Sequence, residues 1–247
     1  LEELRMIYVN GDSYSYTKGK NYGDYLSEIM NLSLLHKGIP GSSNSRIFRT
    51  STRDLLKLKH QGVEQCYAVI DLSFWFRTEL WIEEHGNSKW YQFDFDDGEF
   101  ISFSTVENLD WFEKGPEVSN SVPSFYRAYL KEWVKTTTAD SAIINTIYQA
   151  SLLKNLCENL GYKLMIFWGA DVVEDISRID PKLDALKEFY EEFNDSNSFN
   201  LLQYSFSNHY NAIREPYDFK LHGLHGHPNT LSHKEFAGEI NDRLTRY

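Results

Sequence analysis

Apolar residues along the chain fall into short continuous runs that are separated by longer amphipathic stretches. The runs predict strands covered on both faces, at residues 6–10, 66–72 and 163–168, with a weaker strand at 201–206. The stretches predict helices at residues 22–35, 45–60, 124–160 (as two helices), 171–200 and 234–243. Strands that alternate with helices indicate a central parallel sheet with helices on both faces, the three-layer α/β/α class.

Residues 76–125 break this alternation, because they are rich in Trp, Phe, Asp and Gly. Asp97-Gly98 lies between alternating apolar and polar residues, which is a hairpin signal. We therefore expect an aromatic-rich insertion at about 76–125 over one end of the sheet. The whole chain, 1–247, has a length that suits a single large α/β domain.

The bulk charge narrows the range of partners. A formal net charge of −11 argues against nucleic acid and against an anionic membrane surface as the main partner. The chain has neither an apolar run of membrane-spanning length nor a basic, apolar start typical of a signal peptide. These features leave a cytoplasmic or virion-associated location open, and the oligomeric state undetermined. Cys66 and Cys157 are expected to be buried thiols.

Ligands of parallel α/β sheets bind at the carboxyl ends of the strands. Gly11-Asp12-Ser13 follows the first predicted strand, and we expect Asp12 to order that turn through local backbone hydrogen bonds. A histidine cluster precedes or begins the last helix: His222, His225, His227 and His233. A serine at one strand end and a histidine before the last helix suit a Ser-His pair, because an alcohol needs a positioned base to become nucleophilic.

Three segments resemble the conserved blocks of the SGNH (GDSL-like) hydrolases. They are Val9-Asn-Gly-Asp-Ser13, Gly38-Ile-Pro-Gly41 with the following Ser-Ser-Asn, and His227-Pro-Asn229. The resemblance spans nearly the whole chain, and Pro-Gly-Ser-Ser-Asn also resembles SGNH-like proteins of bacteriophages. It implies a flavodoxin-like fold with Ser13 as nucleophile and His227 as base. It also implies an oxyanion hole that uses the N–H groups of Ser13 and Gly41.

Two family features are missing from this sequence. The stretch Asp71–Glu79 stands where the family has an oxyanion-binding Asn, and it contains none. Asn44 is the candidate replacement, although Asn44, Ser42 or Ser43 could equally cap the next helix.

The family acid three residues before the histidine is also absent, because Leu224 stands there. Asp218 and His225 remain as candidate acids. A backbone carbonyl that orients the imidazole, giving a Ser-His dyad, is the alternative.

Other side chains near the strand ends have two interpretations each. Arg77 either pairs with Glu79 or binds a charged group of the substrate or oxyanion. Trp75 either packs in the core or, with other tryptophans, forms a shelf for a sugar ring or an acyl chain. The histidine cluster matches no zinc spacing of thiolates or carboxylates, so we expect no metal and no cofactor.

The sequence thus predicts a serine-dependent ester hydrolase that removes small acyl groups from a carbohydrate or a similar ester-bearing molecule. The first alternative is a catalytically inactive glycan-binding or structural module on the same fold. A metal-dependent hydrolase that uses the histidine cluster is a third reading.

Overall fold

The structure is a computed structural model. It describes residues 4–15, 19–75, 77–84, 87–96, 99–103, 128–129, 132–133, 135–169, 228 and 230–246. The helix predicted at 171–200 and the strand predicted at 201–206 lie outside these residues. In chain order the elements are β1 (Leu4–Asn10), α1 (Tyr22–Met30), β2 (Ser33–His36), α2 (Asn44–His60), β3 (Val63–Leu72), β4 (Thr78–Glu84), β5 (Asn87–Asp96), β6 (Glu99–Phe103), α3 (Ala139–Leu160), β7 (Lys163–Trp168) and α4 (Thr230–Thr245).

Four of the strands form a parallel sheet in the order β2-β1-β3-β7. One face packs against α2 and α3, through a core that includes Ile47 and Ile147. The other face packs against α1 and α4, through a core that includes Leu26 and Phe236. Helices therefore cover both faces of a parallel sheet, which confirms the predicted fold class.

Strand β2 was missed by the sequence pattern, which extended the first helix to residue 35. The helix ends at Met30, because Asn31 adopts the left-handed conformation at a φ of 52°. The next apolar residues, Leu34 and Leu35, continue a helical spacing but pair with Ile7 and Tyr8 of β1. A strand of four residues is too short for its alternation of apolar and polar residues to be recognised from sequence. Its conformation is decided by its pairing with β1.

Helix α2 begins where the glycine-rich loop ends. Ser43 is its N-cap, since its side chain accepts a hydrogen bond from the backbone N–H of Arg46. Of the three candidate capping residues, Ser43 is therefore the one used. This geometry places the loop at residues 37–42 directly before the N-terminus of the helix.

The stretch predicted as an insertion contains a second, antiparallel sheet in the order β4-β5-β6. Strands β5 and β6 pair as the hairpin predicted around residues 97–98, with Asp96 opposite Glu99. Strand β4 adds a third strand that the sequence pattern did not reveal. Glu79 of β4 binds Arg49 of α2 through two contacts of 2.9 Å, so β4 is tied to the main fold.

The expectation that Cys66 and Cys157 are buried thiols is confirmed. Gly161 caps the C-terminus of α3 at a φ of 73°. Among the residues that the structure describes, no helix is long and apolar enough to cross a membrane.

Candidate functional site

The segments that follow β1, β2 and β3 lie together with Gly169, the residue after β7, at the carboxyl end of the sheet. The N–H of Lys37 donates to the carbonyl of Val9 at 2.8 Å, and that of Ile39 donates to the carbonyl of Gly11 at 3.1 Å. On the other side, the N–H of Gly169 donates to the carbonyl of Leu72 at 2.9 Å. The glycine loop and the end of β7 therefore both lie beside the turn that carries Ser13.

A buried carboxylate holds the Ser13 turn. Asp12 is fully buried, and its Oδ1 accepts the N–H of Tyr14 at 2.9 Å, which is the local bond expected from the sequence. Its Oδ2 accepts the hydroxyl of Ser73 and the Nη1 of Arg77, each at 2.9 Å. Ser13 lies between these anchored residues and is only partly buried. The turn thus presents a serine hydroxyl from a fixed backbone.

Arg77 pairs with Asp12 and not with Glu79, which is its near neighbour in the sequence. Arg77 binds Asp12 and also donates to the Ser73 hydroxyl at 2.8 Å, while Glu79 binds Arg49. The predicted Arg77–Glu79 pair is therefore wrong. The end of β1 lies beside Ser73 at the end of β3, so this guanidinium binds a carboxylate from 65 residues earlier in the chain.

Asp71, at the end of β3, is a second buried carboxyl beside Asp12. Neither of its oxygens has a hydrogen-bond partner among the described residues. Burial, reinforced by the negative charge of Asp12, raises the pKa of Asp71 well above its ordinary value. Burial and the neighbouring charge of Asp12 therefore favour the protonated form of Asp71, while Asp12 itself is paired with Arg77.

Gly169 makes room for the Asp71 carboxyl. A Cβ at position 169 would lie 2.1 Å from Oδ1 of Asp71 and 2.9 Å from the Cβ of Tyr14. Both separations are closer than van der Waals contact allows. Only glycine permits β7 to approach the Ser13 turn in this way.

The glycine loop reaches the same edge in a constrained conformation. Gly41 has a φ of 75°, a region that other residues rarely adopt. The next residue, Ser42, donates its hydroxyl to the carbonyl of Ile39 at 2.6 Å, which closes the loop on itself. Because Ile39 is bonded to Gly11, the Gly41 backbone is fixed relative to the Ser13 turn.

The side chain of Asn44 is engaged in structural contacts. Its Oδ1 accepts the N–H of Ser73 at 2.7 Å, and its Nδ2 donates to the carbonyl of Ser73 at 3.0 Å. A longer contact of 3.4 Å joins Nδ2 to the hydroxyl of Thr146. Asn44 thereby ties the start of α2 to the end of β3. To serve as an oxyanion donor it would have to give up one of these bonds.

Other sequence candidates are only partly covered by the structure. Trp75 is half-buried and packs against the core between the sheet and α2–α3. His227, His225 and Asp218 lie outside the described residues. Within the described part of the chain, no group of three or more His, Cys, Asp or Glu side chains is placed to hold a metal ion.

The last helix is anchored close to the segment that follows the Ser13 turn. His233, in the first turn of α4, is buried, and its Nδ1 accepts the N–H of Tyr22 at 3.2 Å. The two rings stack with centroids 5.9 Å apart. His233 therefore packs the last helix onto α1.

Sequence reasoning missed two buried ionisable residues of this region, Asp71 and Arg46. Asp71 could have been noticed as a carboxylate inside the otherwise apolar run of β3. Arg46 gives no comparable signal, because a single arginine in an amphipathic helix is normally exposed. Its burial beneath the glycine loop depends entirely on how α2 meets the sheet.

Comparison with known proteins identified a similarity to a solved structure. No protein-family model matches the chain, and no curated protein matches it. A solved structure titled "putative lipolytic protein of G-D-S-L family", from Desulfitobacterium hafniense DCB-2, aligns with a TM-score of 0.48 and 10% identity. The alignment covers 98% of this chain and 99% of that one.

Proposed function

We propose that the protein is a serine-dependent ester hydrolase, with Ser13 as nucleophile and His227 as general base. The observation that carries the proposal is the Ser13 turn itself. A partly exposed serine lies at the carboxyl end of a central parallel strand, fixed by the buried Asp12 and flanked by a glycine loop. Scaffolds that fix a nucleophile in this way reduce the entropy lost on reaching the reactive geometry.

The position of His227 in the chain supports its role as the base. It precedes the buried Pro228 and the start of α4, whose first turn is bonded to Tyr22 at the beginning of α1. Helix α1 follows the Ser13 turn in sequence, so its first residue lies towards the carboxyl end of the sheet. The start of α4, which is bonded to that residue, therefore lies towards the same end as Ser13. In the reaction, the His227 imidazole takes the proton of Ser13 as the hydroxyl attacks the ester carbonyl.

The developing oxyanion would be held by the backbone N–H groups of Ser13 and Gly41. The bonds between the glycine loop and β1 support this assignment, because they fix both N–H groups on one scaffold. Asn44 would add a third donor only by releasing Ser73. Asp218 or His225 would orient the imidazole; with a backbone carbonyl instead, the site works as a Ser-His dyad.

We propose small acyl groups on a carbohydrate, or on a similar ester-bearing molecule, as the substrate class. Trp75 would offer an aromatic face to a sugar ring, and Arg77 would bind a charged group. Attack by Ser13 releases the alcohol and leaves an acyl enzyme, which water then hydrolyses to regenerate the serine.

A matched set of variants tests the proposal. We expect the protein to hydrolyse 4-nitrophenyl acetate and Ser13 to react with a fluorophosphonate, with both activities lost in Ser13→Ala while the circular dichroism spectrum stays unchanged. His227→Ala should lower kcat by at least about a thousandfold. Ser33→Ala, a serine change in the edge strand β2, is the control and should retain the activity. An unchanged rate in Ser13→Ala would remove that serine from the mechanism.

A glycan-binding module without turnover is the second candidate. The engagement of Asn44 with Ser73 favours it, because the site then lacks the side-chain donor that the resembling family uses. Absence of fluorophosphonate labelling in a protein that retains binding to acetylated glycans would support this candidate over the hydrolase.

A further inference from the structure

A buried guanidinium lies beneath the loop at residues 37–42. Arg46, in the first turn of α2, is only 4% exposed. Its Nη1 donates to the Ser42 hydroxyl at 3.0 Å, and its Nη2 lies 3.5 Å from the carbonyl of Lys37. One side chain therefore contacts both ends of the loop that contains Gly41.

The contact with Ser42 continues to the nucleophile strand. The Ser42 hydroxyl accepts from Arg46 and donates to the carbonyl of Ile39, whose N–H donates to the carbonyl of Gly11. A continuous path of hydrogen bonds and backbone thus runs from the guanidinium, through the glycine loop, to the residue two positions before Ser13. Movement of Arg46 would alter the spacing between the Gly41 and Ser13 backbones.

Among the described residues, no carboxylate contacts the guanidinium of Arg46. Its Nε has no hydrogen-bond partner among the described residues. Glu79 is the carboxylate that acts on it most strongly, but both oxygens of Glu79 are bound by Arg49. Burial lowers the pKa of Arg46 to about 10, which still leaves it protonated at neutral pH.

Such a cation is costly to bury, and an apolar side chain of similar volume is often at least as stabilising in such a place. An oxyanion that forms on the substrate beside this loop would supply a negative charge close to the guanidinium of Arg46. The loop that Arg46 braces is also the loop whose N–H is assigned to the oxyanion. The hydrogen bonds of Arg46 stabilise the conformation of the loop, and the positive charge of the same side chain also favours an anion beside the loop.

We propose that Arg46 is a positioning residue for the oxyanion site, one that fixes the Gly41 N–H through Ser42 and Lys37 and favours negative charge on the ester oxygen. This inference rests on the proposed hydrolase function. Arg46 is buried beneath the loop, so we expect it to act through the loop rather than by direct contact with the substrate. Its effect should fall on kcat, because the oxyanion exists only in the transition state and the intermediate.

The test compares kcat and KM for 4-nitrophenyl acetate in four variants. Arg46→Met should lower kcat about tenfold to hundredfold, below the full loss of an oxyanion donor, and should change KM less than about twofold. Arg46→Lys keeps the cation without the planar fork and should retain more activity than Arg46→Met. Ser42→Ala, which breaks the path while Arg46 remains, should also lower kcat. Arg53→Met is the matched control, since it removes a 55% exposed arginine of the same helix and should leave kcat unchanged.

The outcomes separate this inference from the proposed function. If Ser13→Ala abolishes hydrolysis but Arg46→Met and Ser42→Ala keep the wild-type kcat, the inference is overturned and the hydrolase stands. A raised KM at constant kcat would also overturn it, because Arg46 would then serve substrate binding. If Arg46→Met does not fold, Ser42→Ala and Arg46→Lys decide the question by the same criteria. A wild-type rate in Ser13→Ala overturns the proposed function and this inference together.

Discussion

Replacing Arg77 by Met should destabilise the protein strongly, because it leaves the buried carboxylate of Asp12 without its cation. Asp12 is fully buried and the Arg77 side chain is only 12% exposed, so water replaces little of the lost 2.9 Å contact. Removing one partner of a buried ion pair costs about 3–5 kcal/mol. Asp12 keeps the donors on Ser73 and Tyr14, so we expect the lower half of that range.

Asp12→Asn should cost less, about 1–3 kcal/mol, because Arg77 keeps its bond to Ser73 and part of its solvent contact. In the double variant neither group carries a charge. The summed effects of the single changes should therefore exceed the effect of the double variant by about 2 kcal/mol. This coupling energy measures the ion pair separately from the general cost of altering the turn.

Urea unfolding followed by tryptophan fluorescence measures these differences, provided that the slope with denaturant stays constant among the variants. The exposed Lys135–Glu132 pair, with side chains 70% and 68% exposed, is the control, and its coupling energy should stay below about 1 kcal/mol. If the Asp12 and Arg77 changes add within about 0.5 kcal/mol, the two side chains do not interact as described. The electrostatic account of the Ser13 turn would then be wrong.

Three further predictions concern the same core. The pKa of Asp71 is raised in the folded state, so above about pH 4 the folded protein keeps a proton on Asp71 that the unfolded chain releases. The free energy of unfolding therefore falls as the pH rises from about 4 towards the raised pKa. Asp71→Asn should remove this loss, so its urea midpoint should gain on wild type from acid to neutral pH; a constant difference would show that Asp71 is ionised. Gly169→Ala should lower the free energy of unfolding by about 1–3 kcal/mol, because the new Cβ overlaps the Asp71 carboxyl; an unchanged midpoint would contradict that contact. Burial raises the pKa of both Cys66 and Cys157 to about 12, so neither thiol should react with iodoacetamide at neutral pH until denaturant is added, as mass spectrometry would detect.

The sequence by itself determined the layered architecture and the position of the candidate nucleophile. Continuous apolar runs identify β1, β3 and β7, and helical periods identify α2 and α3, because burial on one or both faces leaves a local pattern. The same logic places Ser13 just after β1, where parallel sheets bind ligands. The local role of Asp12 also follows from sequence, since an aspartate in a turn bonds to the backbone two residues on.

The partners of the buried charges were decided only by the tertiary structure. Arg77 lies two residues from Glu79 yet pairs with Asp12, and Arg46 contacts a loop that precedes its own helix. The conformation of β2 likewise depends on pairing with β1 rather than on its own four residues. The local period of apolar residues shows whether a residue is buried. The order of strands in the sheet decides which distant side chains come into contact, and a buried charge is stabilised only by the groups that it contacts.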